Sequence, residues 1–125
     1  MFIVREEVSI TTNSSGVGTG STKAVNGRIL SIQYVKTDFA TGVDFTITTS
    51  ETSRGVWAES DVNASAIRAP RQACHSILGA ALNYNDESNE PVVDYINVAN
   101  ESIDIAVASG GSGKVGTFYV EIEGS

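Results

Sequence analysis

The apolar positions of this 125-residue chain recur mainly at every second residue. Between Val43 and Ser50 the alternation is unbroken, with Val43, Phe45, Ile47 and Thr49 opposed to Asp44, Thr46, Thr48 and Ser50. A period of two puts one set against a core and the other in water, and β-branched side chains suit a pleated surface, so this run is a half-buried strand. Phe118, Val120 and Ile122 opposed to Tyr119, Glu121 and Glu123 give the same reading near the end of the chain, and Ile103, Ile105 and Val107 give it just upstream. From Phe2 to Thr11 the apolar face is Phe2, Val4, Val8 and Ile10, interrupted by Glu6. Lys23 to Lys36 is apolar on both faces through Ile29, Leu30, Ile32, Tyr34 and Val35, which marks a central strand, with Asn26-Gly27 as a tight turn or bulge. Shorter strands are expected at Val56 to Ala58 and at Val92 to Val98.

The intervening stretches carry turn chemistry. NSSGVGTGST, from Asn13 to Thr22, is small, polar and glycine-rich, and reads as a flexible loop or as an arm ordered by a neighbour. Ser60 to Leu82 contains RQACHSILGAAL, where Pro70 and Gly79 interrupt any helix and no amphipathic stripe lasts three turns, so it is read as a long loop with one short strand. NYNDESNE is an acidic turn ended by Pro91. About eight short strands at intervals of roughly eight to twelve residues predict an all-β fold, an antiparallel β-sandwich, jelly-roll-like, without helices. Residues 1–22 are expected to form an N-terminal strand or arm with the Gly-Ser loop, and residues 23–125 the sandwich domain. Phe2, Phe39, Phe45, Trp57, Phe118 and the tyrosines are the rings available to seal its core.

One stretch looks like phosphate-binding chemistry. GGSGKV, within Ser109 to Val115, has the glycines and lysine of a phosphate loop, but Ala108 stands where the first glycine is required. Val115 also replaces the Ser or Thr that holds magnesium, and a strand pattern follows where a helix should start. The glycines are instead expected to form the positive-φ turn of a hairpin.

Charge narrows the classes of partner. Fifteen acidic against eight basic side chains give a formal net charge of -7, which disfavours nucleic acid and anionic membrane surfaces. The opening MFIVREEV has neither the apolar length nor the basic flank of a signal peptide, so synthesis in the cytoplasm is expected. Cys74 is the single cysteine, which rules out an internal disulfide and agrees with a reducing compartment.

The side chains able to do chemistry are few. His75 is the only imidazole, and its neighbour Cys74 would project to the opposite face of an extended chain, so no nucleophile-base pair is expected. No catalytic residue, cofactor or metal is assigned, and the chain is read as non-enzymatic. Asp86, Glu87, Glu90 and Asp94 cluster closely enough in sequence to suggest oxygen ligands for a cation, against the plainer reading of a solvated acidic turn. Arg68, Arg71 and His75 gather in RAPRQACH within an otherwise acidic chain. Either the arginines pair locally on a solvated loop, or they form a docking patch, since the guanidinium fork recognises carboxylates and is enriched at interfaces.

The order NGRILSIQYVK, GVDFTITTSET, VWAESDVNAS, APRQACH with GAAL, and SIDIAVASGGSGKVGTFYVEIEG, spanning roughly residues 25 to 124, resembles small virion proteins of tailed bacteriophages, of the decoration or cement type. The resemblance implies a β-sandwich on the outer capsid surface, bound to the major capsid protein and to itself as a homotrimer, and it carries no catalytic residues. On that reading Phe2 and Val4, in the first strand, meet a neighbouring subunit, and Arg68, Arg71 and His75 meet the shell. A tail or baseplate component is an alternative. So is a carbohydrate-binding adhesin, whose platform would need Trp57, Tyr84 and Tyr95 exposed together.

Overall fold

Alternation drives the chain into strands that each bury one face, and two such sheets close over each other. The computed structural model, which describes residues 2–85 and 90–124, contains ten strands and no helix among them. They are β1 (Phe2–Thr11), β2 (Gly18–Ser21), β3 (Val25–Lys36), β4 (Asp44–Thr49), β5 (Gly55–Glu59), β6 (Ala66–Arg68), β7 (Arg71–Ala73), β8 (Val93–Glu101), β9 (Ile103–Ala108) and β10 (Val115–Gly124). One sheet runs β1-β10-β3-β8-β7, with β6 also paired to β3, and the other runs β2-β9-β4-β5. Every pairing is antiparallel. The expected all-β sandwich is the observed architecture.

The core lies between the two inner faces. Ile29, Ile32 and Tyr34 of β3 and Phe118, Val120 and Ile122 of β10 meet Phe45 and Ile47 of β4 and Ile103, Ile105 and Val107 of β9, all of them buried. Burying each of these aliphatic or aromatic side chains stabilises the fold by roughly 1.5–3 kcal/mol. Tyr34 is the hub of the aromatic cluster, its ring centroid 4.6 Å from Phe45 and 5.2 Å from Phe118.

The glycine-rich Asn13 to Thr22 stretch holds a strand where a loop was expected. β2 pairs with β9 and lies so close over β1 that a Cβ on Gly18 would fall 2.7 Å from Ile10 Cγ2, and one on Gly20 2.7 Å from Val8 Cγ1. Only glycine allows that approach, so the strand has no apolar alternation to show in sequence. Residues 2–22 therefore supply an edge strand to each sheet.

GGSGKV is not a hairpin turn, because β9 and β10 belong to different sheets and the loop crosses from one to the other. Several of its backbone donors are engaged within the chain. Gly110 N–H donates to Gly16 O at 2.9 Å, Lys114 N–H to Thr12 Oγ1 at 2.9 Å and Val115 N–H to Asp38 Oδ1 at 2.6 Å. These N–H groups anchor the crossing, and strand β10, not a helix, follows Lys114.

β3 pairs with β8 as far as Ile29 and then with β6 from Ile32. The change of partner coincides with a bulge, since Ile29 pairs with Ile122 and Ser31 with Glu121, leaving Leu30 as the extra residue. Beyond Ile96, β8 leaves β3 and pairs only with β7. The segment expected as one loop with one strand is therefore two short strands and an arm. Beyond β7 the arm is held by bridges between His75 and Ala81 and between Asn83 and Pro91.

Candidate interaction surfaces

The partner-binding residues expected from the sequence fall on two sides of the larger sheet. Phe2 and Val4 lie on the edge strand β1, Arg68 on β6, Arg71 on the opposite edge strand β7, and His75 on the arm beyond it.

Arg68 and Arg71 are close in sequence but engaged differently. Arg68 forms a two-pronged contact with Glu59, Nε to Oε1 at 3.1 Å and Nη2 to Oε2 at 2.9 Å, and lies over the Trp57 ring at 5.5 Å. The Arg68 hydrogen bond, and then the one from Trp57 Nε1, hold the Glu59 carboxyl below the usual carboxylate range. Arg71 turns inward, donating from Nη1 to the carbonyls of Pro70 at 2.8 Å and Leu30 at 3.2 Å. Its guanidinium lies 4.2 Å from the centroid of the Tyr95 ring, which also carries Arg28 at 5.0 Å. Both arginines thus have local partners, with the Arg68 side chain still 45% accessible. His75 is exposed on the arm.

The arm ends in an apolar tip. Ser76 N–H donates to Ala80 O at 2.8 Å, Gly79 N–H to Ser76 O at 2.9 Å and Ala80 N–H to Ser76 Oγ at 3.1 Å, closing a tight turn. The turn projects Ile77 and Leu78 into solvent, 99% and 92% exposed. Leu82, Tyr84 and Val93 are exposed on the same arm. Periodicity could not reveal these residues as surface features, since two adjacent aliphatics at a turn read like any short apolar run. A compositional signal was available, because no Asp or Glu occurs from Val62 to Asn85.

At the other edge, β1 outruns its cover. β2 reaches Val8 and Ile10 but not the start of β1, so Phe2 is 58% exposed and Val4 half-buried although both lie on the inward face. They line a groove of about 150 Å³ with Val25 and Ile122, where Lys23 Nζ and Glu6 Oε1 pair at 3.5 Å. Glu6, which interrupts the apolar face in sequence, is thereby placed in a groove wall rather than in the core. No strand pairs with the outer edge of β1 among the described residues.

The three aromatics of the sugar-platform reading are not brought together. Trp57 is enclosed in the core on β5, against Phe45, whereas Tyr95 lies on β8 of the other sheet and Tyr84 on the arm. Of the acidic cluster, Asp86 and Glu87 lie outside the described residues, and among the described residues no group of three His, Cys, Asp or Glu side chains is placed to hold a metal ion. Cys74 is half-buried, with its backbone in the arm ladder.

Searches against protein-family models, curated proteins and solved structures find no match to this chain.

Proposed function

We propose that this chain is a structural protein of a tailed-phage particle, a decoration protein that binds the major capsid protein on the outer surface of the head and stabilises the shell as a homo-oligomer, a trimer on the resemblance. The order of segments from NGRILSIQYVK to FYVEIEG supports the location. One structural observation supports the role: the acidic sandwich carries an arm that holds Ile77 and Leu78 almost fully in solvent. Large apolar side chains fixed at a tip do not help this domain fold, and contiguous exposed apolar surface marks a site of protein contact. Arg68, the more accessible of the two arginines, is the residue expected to meet an acidic face of the shell.

The test uses virions whose genome encodes the chain, with its gene intact or deleted, and the purified protein added back. Heads lacking the protein should take it up and resist heat or chelation better once it is bound. Arg68→Glu should weaken uptake and alter its salt dependence. A protein that never sediments with heads, or that sediments with detached tails, would overturn the head assignment. Removing residues 1–21 is not a useful probe, since it would take β1 and β2 from the two sheets.

A further inference from the structure

We propose that β1 of one copy pairs antiparallel with β1 of a second copy about a two-fold axis at Glu6, continuing the larger sheet across both subunits. The edge that receives it is open, since no strand pairs with the outer side of β1 among the described residues. Thr12 N–H donates to Lys114 O at 2.8 Å, in step with the register that sets Ile10 opposite Gly116. Even-numbered residues of β1 therefore turn their N–H and C=O groups toward β10, and Ile3, Arg5, Glu7 and Ser9 turn theirs outward. A row of outward backbone donors and acceptors is what an added strand binds.

The sequence of β1, FIVREEVSIT, selects a copy of itself as that strand. With Glu6 on the axis, Arg5 stands opposite Glu7 of the second copy, and Glu7 opposite its Arg5. Both residues are exposed on the solvent face. Within the described residues neither forms an ion pair or a side-chain hydrogen bond, Arg5 resting on the Tyr119 ring at 4.6 Å. Their charges are thus free to pair across the axis, where unlike charges directly opposite stabilise a sheet and like charges destabilise it. The same register sets Ile3 opposite Ser9 on the outer face, and Val4 opposite Val8 and Phe2 opposite Ile10 on the inner one. About eight backbone hydrogen bonds result. Phe2 and Ile3, 58% and 61% exposed in the single chain, are the apolar side chains that the added strand shields.

Neighbouring registers are less favourable. A shift of one residue sets outward groups against groups already bonded to β10. A shift of two places Arg5 against Arg5, or Glu7 against Glu7, on the axis. Any two-fold pairing makes its axial residue face its own copy, and of Arg5, Glu6 and Glu7 only Glu6 has an ion-pair partner, Lys23 Nζ at 3.5 Å. An inward charge on an edge strand ordinarily keeps copies apart; here Lys23 offsets it.

The contact goes beyond the function proposed above and does not rest on it. It yields a dimer, or a pair of trimers if the trimer implied by the resemblance also forms, and it is measured in solution without particles. Sedimentation over a concentration series should show the unsubstituted chain in an even-numbered assembly. Arg5→Glu and Glu7→Arg each replace two unlike pairs by two like ones, and each should weaken association at least about tenfold. Mixed together, these two variants should pair with each other, since each then supplies the charge that the other lacks. Circular dichroism of each variant checks that it is folded. In a Cys74→Ser background, Glu6→Cys should cross-link to itself under mild oxidation, because facing residues of that kind lie about 4.5 Å apart at Cα, within disulfide reach. Arg5→Cys and Glu7→Cys should cross-link poorly alone and well when mixed. A monomeric unsubstituted chain, single reversals that associate like the parent, a mixture of reversals that stays apart, or cross-linking of position 5 or 7 to itself in preference to the mixed pair would overturn the proposal.

Discussion

Arg71 Nη1 donates to the carbonyl of Leu30 at 3.2 Å, linking the base of the arm to the bulge in β3. The bulge displaces Leu30 from the regular ladder, and the guanidinium reaches its carbonyl at the point where β3 changes partner from β8 to β6. The same group stacks on Tyr95 of β8, so one side chain ties together the strands that diverge there.

Arg71→Ala should therefore lower stability by roughly 1–2 kcal/mol, from a charge-assisted hydrogen bond and a partly exposed cation–π contact. Arg71→Lys should recover only part of this, since an ammonium lacks the planar fork. Arg68→Ala should lose less than about 1 kcal/mol, because its pairing with Glu59 is exposed to solvent. Urea denaturation midpoints of the three variants check the order. The comparison also shows why Arg68, and not Arg71, is the cleaner probe of docking.

Tyr34 carries a buried hydroxyl without a hydrogen-bond partner among the described residues. Burial raises its phenol pKa above the ordinary value. Tyr34→Phe removes an unsatisfied polar atom and leaves the ring packing against Phe45 and Phe118 intact. It should raise stability by about 1 kcal/mol, a gain read from the thermal midpoint. A drop in the midpoint would mean that the hydroxyl has a partner.

Glu101 is buried at the end of β8, where Oε1 accepts from Thr52 N–H at 2.9 Å, Glu51 N–H at 2.9 Å and Thr52 Oγ1 at 3.1 Å. The Thr52 backbone bond is the first cause holding its carboxyl below the usual range. A folded-state pKa below the unfolded one means that the native state takes up the proton less readily. The resulting stability is fully present above the unfolded value and is lost as pH falls through the folded one. Glu101→Gln should be less stable than the parent at neutral pH and should show a shallower decline under acid. Glu59, lowered by Arg68, retains its own share of that decline. Denaturation curves taken from neutral pH down through the carboxylate range check both parts.

Gly20→Ala would bring a Cβ to 2.7 Å from Val8 Cγ1 and 2.9 Å from Ile10 Cγ1. Separating β2 from β1 to make room should cost roughly 1–3 kcal/mol, measured by chemical denaturation.

Strands that bury one side chain in two were legible from their alternation. Val43, Phe45, Ile47 and Thr49 are all buried, as are Phe118, Val120 and Ile122, and the two-faced β3 lies inside its sheet. What alternation could not show was which sheet a strand joins. Ile103 to Val107 and Phe118 to Ile122 have the same pattern whether they pair with each other or face each other, so the GGSGKV crossing was read as a hairpin. β2 escaped notice because its glycines serve close approach to β1 rather than burial of side chains. Phe2 and Val4 were legible as an apolar face, but their exposure follows from the short reach of β2. The tip was missed because Ile77 and Leu78 gain their meaning only from the turn that projects them.

The most direct measurement is an electron cryo-microscopy reconstruction of virions made with and without the gene for this chain. The account predicts difference density on the outer surface of the head, fitted by the ten-stranded sandwich. Difference density confined to the tail, or none on either, would contradict it.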